Sequence, residues 1–256
     1  MSTSNPYAAP EADLSNEPDV KFELTGPKSK GIGRGWGWIA EAFGYFKKSP
    51  GQWILTLILG FGVFIVMSLI PVVGQLLSMA TYYVWIAGLM LGCHEQDRGG
   101  RFKVTHLFAG FNNPIKLIIL SLILSILSII VMYFAVGPIY LELLQGGEPS
   151  PELNAALLDP TEFWLPFLFG MLIMIPLMMA TWFAPALIAI HDVSVIEAMK
   201  LSFVGCLKNM LPLTLYGLIA LVLYILGAIP LALGLFVVIP TLLASMYTSY
   251  KDIFVK

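Results

Sequence analysis

From Gln52 to Gly92 the chain runs forty-one residues without a charged side chain or a histidine. A helix crossing the hydrocarbon core needs about 20 mostly apolar residues, so this run is too long for one span and fits two. The natural break is Pro71 to Gly74, "PVVG". Met210 to Tyr250 is a second double-length run, with its break near Pro230. Ile115 to Tyr140 and Phe163 to Ile190 are single runs, the first carrying Lys116 only at its start. The expected spans are therefore about 52–70, 75–92, 115–140, 163–190, 210–229 and 231–250.

Composition agrees with this reading. The 256 residues are 58% hydrophobic and 12% charged, about half the charge of an ordinary soluble domain. A soluble fold of this length has no interior large enough for so much apolar surface. A net charge of −2 supplies no basic patch for nucleic acid. Residues 1–30 are polar, proline-containing and without an apolar h-region, which predicts a disordered cytoplasmic tail rather than a secretory signal. The six-span membrane domain is then 31–256.

All fourteen Lys and Arg residues precede the first span, follow the last, lie between spans two and three or four and five, or, as Lys116, begin span three on that same side. The loop between spans three and four holds Glu142, Glu148, Glu152, Asp159 and Glu162 and no basic residue. This distribution predicts both termini on the cytoplasmic side of a bacterial inner membrane.

Three cytoplasmic-side segments share one plan, an amphipathic stretch followed by a proline and a hydrophobic hairpin. In the first, Trp36, Ile39, Phe43 and Phe46 recur at helical spacing before Pro50. In the second, Leu107, Phe108 and Phe111 precede Pro114; in the third, Ile196, Met199, Phe203 and Cys206 precede Pro212. Ser194 and Glu197 form the S-x-x-E pattern of a capping box and mark the start of the third helix. The expected fold class is all-α and integral to the membrane: six transmembrane helices as three hairpins, each preceded by an amphipathic helix on the cytoplasmic face.

"GIGRGWGW", residues 31–38, tests whether the chain binds nucleotide. Its glycines run G-x-G-x-G-x-G after a polar stretch, whereas a dinucleotide fingerprint needs G-x-G-x-x-G between a strand and a helix. No Gly-Lys-Ser/Thr follows to make a P-loop. The stretch reads instead as a flexible lead into a membrane-surface helix, with Trp36 and Trp38 as headgroup-level anchors and Arg34 reaching lipid phosphate.

Catalytic chemistry is hard to place. The spans hold no ionisable residue except Lys116, where a proton- or ion-coupled device would need one. Ser121, Ser125 and Ser128 share a helix face, and Gly88 and Gly92 make a G-x-x-x-G; both patterns suit close helix packing. Pro138, Pro176 and Pro185 could break helices along a transport pathway or simply kink them. Cys93, His94, Glu95 and Asp97 cluster at the exit of span two, but the spacing fits no standard zinc site and adjacent Cys93 and His94 point to different faces. No metal, cofactor or catalytic group is expected.

Trp182, Phe183, Ala184, Pro185, Ala198, Ser202 and Asn209 lie in residues 181–213. There the chain resembles a family of uncharacterised proteobacterial six-span inner-membrane proteins, marked by a Trp-Phe-Ala-Pro span end and an Ala-x-x-x-Ser helix. The likeness extends from about Gly31 to the C-terminus. More distantly the order of elements is similar to the membrane domain of glycerophosphodiester phosphodiesterases, whose soluble catalytic domain this chain lacks. The resemblance implies fold and location, and no reaction. The functional expectation is a non-enzymatic protein that organises or assists a membrane complex, with the lipid bilayer and a membrane-protein partner or a second copy as its contacts. The alternative is an uncoupled lipid or small-molecule transporter, and a lipid-acting membrane enzyme is third.

Overall fold

A computed structural model describes residues 22–137, 142 and 150–256. Residues 1–21 of the expected tail, Pro138 and Glu148 lie outside the described residues. Among those described, the chain forms ten α-helices: α1 Arg34–Lys48, α2 Pro50–Ser68, α3 Val73–Asp97, α4 Ile115–Val136, α5 Pro151–Leu158, α6 Leu165–Thr181, α7 Ala184–His191, α8 Val195–Lys208, α9 Met210–Ala228 and α10 Leu235–Phe254. A 3₁₀ segment, Val104–Asn112, joins α3 to α4.

Among the described residues, five helical rods are long and apolar enough to cross a membrane: α2, α3, α4, the α6–α7 pair spanning Leu165–His191, and α9. Their outer faces carry exposed Phe61, Phe64, Leu168, Phe169, Leu218 and Leu221. So much exposed apolar surface suits lipid rather than water. The stretch expected as a sixth span, 231–250, corresponds to α10, which starts four residues later and is not one of the five. Its buried side is mixed, with Ser245, Thr248 and Ser249 buried beside Ala244, Tyr247, Tyr250 and Phe254.

α1 departs from the surface-anchor expectation. Its face of Trp38, Ile39, Ala42, Tyr45 and Phe46 is buried, and the helix lies along α9 and α10. Gly35 makes the approach to α9 possible: a Cβ there would sit 2.4 Å from the Pro212 carbonyl oxygen and 2.8 Å from the Tyr216 amide nitrogen. The glycine-rich stretch is thus partly a packing surface.

Residues 22–30, read as part of a disordered tail, are held in place. The Thr25 amide donates to the Phe254 carbonyl at 2.7 Å and the Lys28 amide to that of Ile253 at 3.0 Å. Buried Asn209 accepts the Lys30 amide at 2.8 Å and donates to the Lys28 carbonyl at 2.9 Å. Composition could not show this, because backbone groups in a polar segment pair with backbone groups more than two hundred residues away.

The other two amphipathic segments also turn differently from expectation. The second is the 3₁₀ segment, with Leu107 buried while Phe108 and Phe111 stand out beside the Trp85 ring. In the third, α8, the buried face is Ala198, Ser202, Gly205 and Cys206, and Ile196 is exposed. Small residues let α8 approach its protein neighbours, while larger apolar ones remain on its outer side. Ser194 is the N-cap residue of α8, but its side chain makes no cap hydrogen bond.

Candidate functional site

The main cluster of titratable groups forms where the ends of α1, α3 and α10 meet. Asp97, the last residue of α3, has a side chain only 11% exposed. Its carboxylate accepts the Tyr45 hydroxyl at 2.5 Å, the Tyr247 hydroxyl at 2.9 Å and Lys251 Nζ at 2.6 Å. Tyr247 and Lys251 are four apart on α10 and so share a face. Burial pushes the Tyr45 phenol well above its ordinary value, and its hydrogen bond to Asp97 pushes it further. This phenol therefore stays protonated and serves as a donor.

Histidines border the cluster. His94 Nδ1 lies 3.3 Å from the Tyr247 hydroxyl, and His191 Nε2 is hydrogen-bonded to the Tyr250 hydroxyl. The Phe22 ring meets His94 edge-on at 4.5 Å between centroids, and Lys251 Nζ stands 5.6 Å from the same ring. The segment 22–30 thereby places an aromatic ring over the cluster.

A second carboxylate is engaged one residue along α10 from Lys251. Asp252 accepts Lys30 Nζ at 2.7 Å, Arg34 Nε at 2.7 Å and Trp38 Nε1 at 2.9 Å. Arg34 also pairs with Glu41 at 2.8 Å. Burial pushes the Asp252 carboxyl up, but the hydrogen bonds from Lys30, Trp38 and Arg34, with the Arg34 charge, outweigh it and hold it below the carboxylate range.

These contacts correct two of the three anchor assignments. Trp38 is fully buried with its indole N–H on Asp252, and Arg34 is engaged by two carboxylates. Trp36, by contrast, is 54% exposed. The two tryptophans are two residues apart, which on a helix sends them to different faces.

Of the expected packing residues, Gly88, Gly92 and Ser121 lie at close contacts. A Cβ on Gly88 would meet the His106 carbonyl oxygen at 2.5 Å, and one on Gly92 the Phe102 ring at 2.5 Å, so α3 receives the 3₁₀ segment there. Ser121 accepts the Tyr83 amide at 3.1 Å between α4 and α3. Ser125 lines a cleft of about 270 Å³ shared with Ser78, Tyr82 and Tyr83.

Pro176 lies inside α6 and Pro185 is buried at the start of α7, either side of an opening at Trp182–Phe183. Ser202 bridges that opening, accepting the Phe183 amide at 2.9 Å and donating to the Met179 carbonyl at 2.7 Å. Beside it, an apolar cavity of about 360 Å³ is lined by Met178, Met179, Trp182, Cys206 and Tyr216.

Cys93, His94 and Glu95 diverge. Cys93 is buried, His94 faces Tyr247, and Glu95 abuts Gly100. Among the described residues no three His, Cys, Asp or Glu side chains converge as metal ligands.

The chain is 26% identical over 221 residues to a probable inner membrane protein of Burkholderia thailandensis, covering 83% of this chain and 80% of that one. No family model and no solved structure matches, so neither adds to the resemblance to phosphodiesterase membrane domains. With five long apolar helices, the relative supports a multi-pass inner-membrane protein.

Proposed function

We propose that this is a six-span inner-membrane protein of three helical hairpins, with both termini cytoplasmic, that organises or assists a membrane complex without catalysis. α10 supplies the sixth span, and the sidedness of the basic residues supports the orientation. The observation that carries the role is the engagement of both carboxylates, Asp97 and Asp252, by three donors each. These groups bind segment 22–30, α1, α3 and α10 to one another, and the outer face of that assembly presents Trp36 and Phe43. A fixed platform of this kind suits a docking role better than proton transfer.

Native mass spectrometry of the protein extracted from its own membrane in a lipid-preserving scaffold tests this reading. A stoichiometric second protein supports it. A lone chain or homo-oligomer carrying one selected lipid or metabolite favours the second reading, an uncoupled lipid or small-molecule transporter. That alternative draws on the apolar cavity beside the opened α6–α7 rod. If it holds, replacing Pro176 and Pro185 together abolishes substrate movement; a platform only loses stability.

A further inference from the structure

We propose that Lys48, Arg101 and Lys103 form a binding site for the phosphate of an anionic phospholipid headgroup. The three cations come from the end of α1 and the loop after α3, and meet around a cleft of about 470 Å³ at the start of α2. Its other lining residues are Ser49, Pro50, Gly51, Gln52 and Phe102, so no carboxylate lines the cleft. The ion pairs among the described residues engage Lys30, Arg34, Lys116 and Lys251, and none of the three cleft cations. Lys48 Nζ stands 5.4 Å from the Tyr45 ring, a contact that leaves its charge unneutralised; like charges lining one cleft repel one another, and an anion relieves that repulsion.

The cleft is also built to stay open. The Val104 amide donates to Gln52 Oε1 at 2.9 Å, which pins the loop to α2. Below it Phe102, 1% exposed, stacks on Trp53 at 3.8 Å between centroids with planes 11° apart. The Gly51 and Gln52 amides lie in the first turn of α2, where helix N–H groups have no intrahelical acceptor and favour an anion as the cations do. Because α2 is long and apolar enough to cross a membrane, its Pro50 end lies at headgroup depth. Charge complementarity there points to a lipid phosphate; anionic lipid attracts basic residues near the surface with about 1 kcal/mol each, so two of them account for about thirtyfold in affinity.

The test uses the full chain in detergent micelles, titrated with phosphatidylglycerol or phosphatidylcholine and read by native mass spectrometry. Wild type is expected to retain phosphatidylglycerol in preference to phosphatidylcholine. The Arg101→Gln/Lys103→Gln variant is expected to bind phosphatidylglycerol about thirtyfold more weakly. A charge-matched control, Lys47→Gln/Lys200→Gln, is expected to bind like wild type. Equal loss in both variants, or no lipid preference in wild type, overturns the site. Displacement of the lipid by equimolar inorganic phosphate would show a free-phosphate site and overturn the headgroup assignment. The inference rests on the proposed orientation, which is read separately: in a Cys93→Ser/Cys206→Ser background, a membrane-impermeant maleimide should label Lys47→Cys only after cells are lysed.

Discussion

The Ser202 hydroxyl accepts the Phe183 amide at 2.9 Å, across a helix that has opened. It also donates to the Met179 carbonyl at 2.7 Å, so one side chain on α8 satisfies both members of an i, i+4 pair on the α6–α7 rod. Ser202→Ala leaves the buried Phe183 amide unpaired, at a cost of about 1–3 kcal/mol, while the Met179 carbonyl keeps only the weak Cys206 thiol donor at 3.5 Å. A fall in the thermal unfolding midpoint in detergent is expected, and an unchanged midpoint would show that the rod closes its own hydrogen bond.

Asp97 couples three donors, which makes their contributions interdependent. Tyr45→Phe and Tyr247→Phe each remove one hydroxyl from the same carboxylate. Residues in one hydrogen-bond network show interaction energies of about 0.5–3 kcal/mol. A double-mutant cycle on urea or thermal unfolding should return a value in that range; strict additivity would mean that the two hydroxyls act independently.

The pH response of the α1–α10 junction follows from Asp252. Its folded value lies below the ordinary carboxylate value, so its stabilisation is fully present above about pH 5 and is lost as pH falls through the folded value. Wild type should exceed Asp252→Asn in unfolding midpoint at neutral pH, and the two curves should draw together below about pH 4. A gap that stays constant with pH would remove Asp252 ionisation as the cause.

Long apolar runs announced the five helices that are long and apolar enough to cross a membrane, because lipid demands a fixed minimum of apolar residues. Helix rotation was much less legible. In a soluble protein the largest apolar residues turn inward, but here lipid also accepts them, so Ile196 could face outward while Ala198, Ser202 and Gly205 turned toward protein. The Asp97 cluster was hidden for another reason. "CHEQD" was conspicuous, but Tyr247 and Lys251 lie at least 150 residues away in sequence. A usable signal was present in α10: Ser245, Thr248 and Ser249 in a stretch expected to span implied a face turned toward protein, and Tyr247 and Tyr250 lie on that same stretch with Lys251 just past its end.

The glycines of α1 give opposite signs for the same substitution. Gly44 is inside the helix, and a methyl group added there would have nothing within 4 Å, so Gly44→Ala should gain up to about 1 kcal/mol from helix propensity alone. Gly35 has the same propensity to gain, but its Cβ would sit 2.4 Å from the backbone oxygen of Pro212, which no side-chain rotation can relieve. Gly35→Ala must therefore push α1 away from α9, straining the contacts of Trp38 and Arg34 with Asp252 on the neighbouring helix. Overpacking of this kind costs about 1–3 kcal/mol, more than the propensity gain. The two variants should move the unfolding midpoint in opposite directions. A stabilised Gly35→Ala protein would show that α1 sits further from α9 than a 2.4 Å approach allows.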